Sequence, residues 1–192
     1  ILFSMAVTEG IGYKPVQRLM GHKLEFIDVR RAYFQAKARR PVFIKLPDED
    51  WEEGKVGKLL KSMYGTRDAA QNWQKEYTNF MVSIGFIVGT VSPCNFHHPK
   101  MDITCTMHGD DFTSCGPRWA LEWLKNKITN KYASKHEILC HGPRHSKSIR
   151  VLNRILEWAD NGITYEADQR HADIAIKELG LDNAKSVTTP SN

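Results

Sequence analysis

The chain has 192 residues, of which 41% are apolar and 26% are charged, so it has an ordinary globular composition and enough length to bury a core. No apolar run is long enough to span a membrane, and the short ILFSMAV stretch lacks the basic region of a signal peptide. The net charge of +5 and the pI of about 9.0 favour a nucleic-acid partner, although charge says nothing about fold.

The first predicted strand carries a carboxylate at its end. Residues 1–20 are ambiguous, and ILFSMAV could be the end of a helix before a glycine-containing turn. LEFIDV, residues 24–29, alternates and predicts a strand with Leu24, Phe26 and Asp28 on one side. Burying an unpaired carboxylate is costly, so Asp28 is an unusual core residue.

The middle of the chain predicts two more strands and a long helix. After a short turn or helix over RRAYFQAKA, PVFIKLP predicts a strand that ends at Pro47, and DEDWEE at 48–53 predicts a solvated loop. KVGKLLKSMYG predicts a strand ending at Gly65, and residues 67–84 predict an amphipathic helix ended by Gly85. Its predicted inner face is Ala70, Trp73, Tyr77, Phe80, Met81 and Ile84.

The last third of the chain predicts two hairpins and two helices. ITCTMHGDDFTSCG predicts two short strands around the turn 109–111, and Pro117 opens a helix. The inner face of that helix is Leu121, Leu124 and Ile128. IRVLNRILEW and ITYEA flank a hairpin turn at 160–162, and a final helix covers 168–179 before Gly180. The whole pattern predicts an α+β fold with a largely antiparallel sheet.

Three carboxylates are candidates for metal chemistry. Asp28 ends a strand, and Asp110 and Asp111 lie at the tip of a hairpin. Adjacent carboxylates repel unless they are exposed or share a cation, and converging carboxylates suit magnesium. Each feature alone is also common in plain turns, because aspartate tolerates turn geometry.

The order of several short segments resembles a known family. DVRRAYFQA, PVFIKLP, KSMYGTRDAAQNW, SPCNF and HGDDF occur in that order, with a TP dipeptide near the end. They resemble the reverse transcriptase of copia-type retrotransposons, which typically reads DVxxAFLxG, an LPxGF-like segment, KSLYGLKQAPRAW, SDPCLF and a YVDD-like hairpin. The matching pieces are Asp28–Tyr33, Val42–Pro47, Lys61–Trp73, Ser92–Phe96, Asp110-Asp111 and Thr189-Pro190, within roughly residues 5–190.

The resemblance implies a domain layout and a set of partners. It implies a polymerase palm with a ferredoxin-like antiparallel sheet and packed helices over residues 1–140, with truncated fingers. Residues 141–192 would then form a primer-grip-like hairpin, including Asn153 and Arg154, and a thumb-proximal helix, although a plain surface hairpin is an alternative for Asn153 and Arg154. The implied partners are an RNA template, a DNA primer, deoxynucleoside triphosphates and the other Pol regions (RNase H, integrase and protease), in an intracellular setting such as a cytoplasmic particle or the nucleus, without a membrane.

The resemblance also implies site residues. Asp28, Asp110 and Asp111 would be the catalytic carboxylates, and together with the Val29 carbonyl they would hold two Mg²⁺ ions. Tyr33 would pack under the incoming sugar, although core packing is an alternative for it. Gly65 and Arg67 would lie along the nucleotide, although Gly65 also suits a plain strand-to-helix turn.

The sequence departs from the family in ways that support a second hypothesis. The hairpin reads Met107-His108-Gly109 before the aspartates instead of tyrosine and valine, and Ala69-Ala70 replaces the Ala-Pro of the family. The fingers and their triphosphate-binding basic groups are expected upstream of Ile1, so we expect the 192-residue chain alone to be weak or inactive. The alternative function is therefore a decayed or repurposed remnant that binds nucleic acid without catalysis.

Two other groups of residues have weaker functional interpretations. His97 and His98 with Cys94 and His108 suggest zinc, but they lack a CxxC or HxxxH spacing. The four cysteines are best explained as reduced thiols, some of them in the core. The basic stretch 125–135, with its four lysines, could contact phosphates, but a solvated face is its default interpretation.

Overall fold

Along the described part of the chain, helices separate groups of short strands. A computed structural model describes residues 1–8, 21–140, 145–166 and 169–185. The helices are α1 (Leu2–Val7), α2 (Ala69–Ser83), α3 (Arg118–Lys131) and α4 (Gln169–Glu178). The strands are β1 (Lys23–Val29), β2 (Phe43–Ile44), β3 (Gly57–Lys58), β4 (Ile87–Val88), β5 (Asn95–His98), β6 (Ile103–His108), β7 (Asp111–Gly116), β8 (Ser134–Leu139), β9 (Ser148–Val151), β10 (Arg154–Ala159) and β11 (Gly162–Tyr165). The strands pair in antiparallel sheets, which confirms the predicted α+β class.

The central sheet has a ferredoxin-like arrangement. In chain order, β1, α2, β6, β7, α3 and β8 follow the β-α-β-β-α-β pattern of that fold. In space the sheet runs β4-β5-β6-β7-β1-β8, so β1 lies between β7 and β8 and pairs antiparallel with both. The predicted ferredoxin-like sheet is therefore present, and the first candidate carboxylate lies on β1, the inner strand next to the edge strand β8.

The two faces of β1 belong to two hydrophobic clusters. Ile27 and Val29 pack in the cluster that contains the inner faces of α2 and α3. Leu24 and Phe26 pack on the opposite face, in a cluster that α1 and the β9-β10-β11 sheet complete. Side chains alternate along a strand, so Asp28 shares the face of Leu24 and Phe26, as predicted. Asp28 is also the one exposed residue of β1, because the second cluster ends before it.

The two helices on the sheet follow the predicted hydrophobic patterns with one exception. Trp73, Tyr77, Phe80 and Met81 of α2 are buried. The prediction for Ala70 was wrong, because Ala70 is exposed and Ala69 is buried instead. On α3, the predicted residues Leu121, Leu124 and Ile128 are all fully buried.

The segment between β1 and α2 contains less strand than predicted. β2 and β3 are two residues each and pair only with one another. The prediction of a strand from Lys55 to Gly65 was therefore wrong for most of its length. The physical reason is the lack of a buried face, since Val56 and Leu60 are exposed. The acidic run 48–53 is exposed throughout, as predicted for a solvated loop.

The C-terminal region contains one more turn than predicted. IRVLNRILEW was expected to be one hairpin arm, but it divides into β9 and β10 at Leu152-Asn153, which have φ of 48° and 66°. Positive φ at both central residues is typical of a type I′ turn. The predicted hairpin at 160–162 is confirmed by the pairing of Ala159 with Gly162, and the predicted final helix corresponds to α4.

Some predictions fall outside what the structure describes. The glycine-containing turn after residue 8 and the Thr189-Pro190 dipeptide both lie outside the described residues. The division at residue 140 stays a prediction, and Leu139 and Ile149 from its two sides share one hydrophobic cluster. No helix in the described ranges has the length and apolar character that a membrane span needs.

Candidate active site

Two of the three candidate aspartates face each other across neighbouring strands. The register pairs Asp28 of β1 directly with Asp111 of β7. Residues directly opposite in an antiparallel pair lie on one face with Cβ atoms about 4.5–5.5 Å apart. The fold therefore brings together two carboxylates that α2 and several strands separate in the chain.

The third aspartate lies in the turn next to this pair. His108 pairs with Asp111, so Gly109 and Asp110 form a two-residue hairpin loop. Gly109 has a φ of 63°, a conformation that glycine adopts without strain. The amide of Val29 donates a hydrogen bond of 3.2 Å to the carbonyl of Asp110, which ties the loop to the end of β1.

The electrostatics of Asp111 reflect this clustering. Burial raises the pKa of Asp111, the negative charges of Asp110 and Asp28 raise it further, and His108 opposes the increase. A raised pKa in at least one of the three aspartates is the expected result when like charges gather without a bound cation.

The carboxylates alone do not form a closed metal cage. Among the described residues, no three His, Cys, Asp or Glu side chains are grouped so that they could hold a metal ion. The same finding removes support for the zinc hypothesis. His98 instead has ring nitrogens 3.2 Å from the Ile84 carbonyl and 3.3 Å from the Met101 amide, and Nδ1 of His97 lies 3.2 Å from the Thr104 hydroxyl.

A basic residue completes the row of charges on this face. Lys135 of β8 is the direct partner of Asp28 on the side away from Asp111. Its Nζ lies 3.9 Å from a carboxylate oxygen of Glu137. A pocket of about 250 Å³ is lined by Asp28, Asp111, Lys135 and Glu137, and by Arg150 of β9. Sequence reasoning treated Lys135 as one of four solvated lysines, because the pairing of β8 with β1 was not predicted.

The other lysines of the basic stretch lie elsewhere, on α3. Lys131 forms an ion pair of 2.9 Å with Glu76 and lies 4.7 Å from the centre of the Phe80 ring. Lys127 lies 6.0 Å from the centre of the Trp123 ring. These contacts show that the basic stretch is not one continuous face.

The predicted nucleotide-binding residues lie in different surroundings. Tyr33 is half-buried, stacks on Tyr64 with ring centres 4.4 Å apart, and lines a cavity of about 370 Å³ together with Gly109. Gly65, with a φ of 85°, and Arg67 are both exposed. The nucleotide-binding roles of these residues stay predictions.

The hairpin that resembles a primer grip borders the carboxylate pocket. Arg150, Val151 and Leu152 line the same pocket as Asp28 and Asp111. Arg154 lies at the far side of that turn, with its guanidinium 5.2 Å from the centre of the Tyr165 ring. The small sheet therefore forms one wall of the pocket.

An acid–base pair is buried on the opposite face of β1. Glu25 has no exposed surface, and its Oε1 lies 3.1 Å from Nδ1 of His136 on β8. The other ring nitrogen of His136 lies 2.8 Å from the Ser134 hydroxyl. Burial raises the pKa of Glu25, and the hydrogen bond and charge of His136 only partly offset that increase.

Glu25→Gln should change how stability depends on pH. The pKa of Glu25 is raised above its usual value near 4.5 in the folded chain, so the native protein loses stability as pH rises from there through the raised pKa. Glutamine does not titrate. The variant should therefore gain stability relative to the wild type as pH rises, by at most about 1.4 kcal/mol per pH unit. Urea unfolding of the 192-residue chain between pH 4 and pH 8 measures this difference.

The exposed residue Glu157 provides the control for that experiment. The Glu157→Gln variant should track the wild type at every pH, because its side chain is solvated in both states. A constant offset between Glu25→Gln and the wild type across the pH range would show that the buried carboxyl carries no proton linkage.

Comparison with known proteins supports a retroelement origin. No model of a known protein family matches the chain. The chain is 22% identical over 175 residues to the retrovirus-related Pol polyprotein from transposon TNT 1-94 of Nicotiana tabacum. The aligned stretch covers 88% of the chain. The chain spans 13% of the length of that polyprotein. The similarity supports an origin in a retrotransposon Pol polyprotein.

Proposed function

We propose that this chain is the palm of a copia-type RNA-directed DNA polymerase, which extends a primer 3′-end on an RNA template. One observation carries the proposal: Asp28 and Asp111 face each other on β1 and β7, two adjacent inner strands of a ferredoxin-like sheet, and Asp110 lies in the adjoining turn. Carboxylates arranged in this way on one open face suit chemistry on phosphate groups.

The donor atoms at the site fit magnesium better than a softer metal. The candidate ligands are the carboxylates of Asp28, Asp110 and Asp111 and the Val29 carbonyl, which are all oxygen donors. Mg²⁺ usually takes only one or two carboxylates, keeps several waters and completes its shell with substrate phosphates. The absence of a three-residue cage among the described residues is therefore compatible with ions that bind together with a nucleotide. Two such ions would supply activation of the 3′-hydroxyl and stabilisation of the leaving pyrophosphate.

The remaining residues of the pocket would bind and orient the substrates. Lys135 and Arg150 place positive charge beside the aspartates, where they would contact phosphates of the primer–template. Tyr33, at the cavity beside Gly109, would pack against the sugar of the incoming nucleotide. Gly65 and Arg67 would lie further along the nucleotide, and the β9–β10 turn would hold the primer end.

The wider setting follows from the same proposal. The substrates would be an RNA template, a DNA primer and deoxynucleoside triphosphates, and the partners would be the RNase H, integrase and protease regions of a Pol polyprotein. The proposed location is intracellular, in a cytoplasmic particle or in the nucleus.

Primer extension tests the proposal directly. The full-length parent polyprotein, given an RNA template, a labelled DNA primer, deoxynucleotides and Mg²⁺, should produce extended DNA. A fluorescence anisotropy measurement of primer–template binding on the same preparation separates catalysis from binding. If the parent binds primer–template and yields no product with Mg²⁺ or Mn²⁺, the chain is a remnant that binds nucleic acid without catalysis.

A further inference from the structure

A buried tryptophan on α2 contacts the turn that carries Asp110. Trp73 is 1% exposed, and its indole Nε1 donates a hydrogen bond of 2.8 Å to the carbonyl of Gly109. Sequence reasoning assigned Trp73 to the core, and its burial agrees with that. The hydrogen bond adds a second role, because it connects the core helix to the exposed hairpin loop.

The donor is held rigidly on the helix side. The Trp73 ring meets Tyr77 and Tyr132 edge-on, with ring centres 5.6 Å and 5.3 Å apart. Both of these rings are themselves buried. The indole N–H therefore has a fixed direction, as expected for an aromatic side chain packed inside a core.

The loop itself has few other constraints. Gly109 is exposed, and a Cβ built at its position would meet no atom within 4 Å. His108 pairs with Asp111 at the base of the loop. In addition, the Val29 amide donates a hydrogen bond to the Asp110 carbonyl, and the Trp73 indole donates one to the Gly109 carbonyl. Each of the two loop residues thus accepts one hydrogen bond from a different core element.

We propose that Trp73 is a positioning residue, which orients the Gly109-Asp110 loop and so the carboxylate of Asp110. The expected effect on catalysis rests on the proposed function, whereas the expected effect on the orientation of the loop does not. Gly109 is exposed, so water can replace the indole N–H as the partner of its carbonyl, and the loss of this hydrogen bond alone costs little stability. The orientation of the loop becomes less fixed, because only one of the two hydrogen bonds to its carbonyls remains.

Trp73→Phe tests the proposal in the full-length parent. Phenylalanine keeps an aromatic ring and removes the donor. We expect kcat for primer extension to fall about tenfold or more, as expected for a loss of about 1.4 kcal/mol of transition-state stabilisation. The KM for primer–template should change less than about twofold, because phosphate contacts elsewhere carry that binding.

Phe80→Leu is the control for lost packing in the core under α2. Phe80 lies on the same helix and in the same cluster, and it contacts Tyr132 with ring centres 5.4 Å apart. It should lower the melting temperature, because Phe80 is buried, and leave kcat unchanged. Equal effects of both variants on kcat would reduce Trp73 to a packing residue and overturn the proposal.

Hydrogen exchange gives a result that does not depend on activity. The Val29 amide bonds to the Asp110 carbonyl, so it reports on the motion of the loop. In the 192-residue chain, Trp73→Phe should accelerate exchange of this amide severalfold, while exchange of the Arg30 amide, which donates to the Ala133 carbonyl, stays unchanged. If wild-type parent shows no extension, the proposed function fails and this exchange measurement still decides the role of Trp73. Unchanged Val29 exchange, or an active variant with unchanged kcat, would refute it.

Discussion

Asp110→Asn should lower primer extension by the full-length parent by orders of magnitude and leave primer–template affinity nearly unchanged. Asparagine keeps the size of the side chain and removes one negative charge from the Asp28–Asp110–Asp111 group. Charge at this position is what a divalent ion would require, while template binding depends on lysine and arginine contacts to phosphates. Single-turnover extension and fluorescence anisotropy, measured on the same preparation, separate the two effects.

The chain offers a closely matched control for this substitution. Asp160 also lies in a two-residue hairpin loop, between the paired residues Ala159 and Gly162. Asp160→Asn makes the same change in charge and size away from the carboxylate pair, so it should leave extension at the wild-type level. If Asp110→Asn extends primers as well as Asp160→Asn does, Asp110 has no part in catalysis, even if the fold is that of a polymerase palm.

Local sequence patterns identified the parts of the site but not their pairing. The alternation in LEFIDV predicted that Asp28 shares a face with Leu24 and Phe26, and the structure confirms this. The hairpin at 109–111 was equally visible, because a glycine and aspartates mark a tight turn between two short strands. The direct pairing of Asp28 with Asp111 is a long-range register, which no local pattern encodes.

The residues that sequence reasoning missed share a physical reason. Lys135 belongs to β8, whose sequence SKHEIL carries polar side chains on both faces, so it lacks the alternation of a half-buried strand. The side chain of His136 on that strand lies 3.1 Å from Glu25 of β1, a partner that local sequence does not reveal. The acceptor of the Trp73 indole lies 36 residues away, so the hydrogen bond depends on tertiary structure. Conversely, KVGKLLKSMYG has strand-like composition, but only Gly57 and Lys58 form a strand, and Val56 and Leu60 are exposed.

Phe112→Ala should be among the most destabilising single substitutions in this chain. Phe112 follows Asp111 on β7, has no exposed surface, and pairs with Ile27 on one side and Met107 on the other. Its ring also meets the Tyr77 ring of α2 edge-on, with centres 6.2 Å apart. Truncating a buried phenylalanine to alanine typically costs about 3–5 kcal/mol, because transfer free energy is lost and a cavity remains.

Urea unfolding of the 192-residue chain measures this cost, with Phe43→Ala as the control. Phe43 is 59% exposed on β2, so its truncation should change the free energy of unfolding by about 0.5 kcal/mol or less. Because successive side chains point to opposite faces, Phe112 anchors β7 on the helix side while Asp111 faces the open pocket. A cost below about 1 kcal/mol would mean that the cavity at Phe112 collapses easily. In that case the core under α2 would not be what holds Asp111 in register with Asp28.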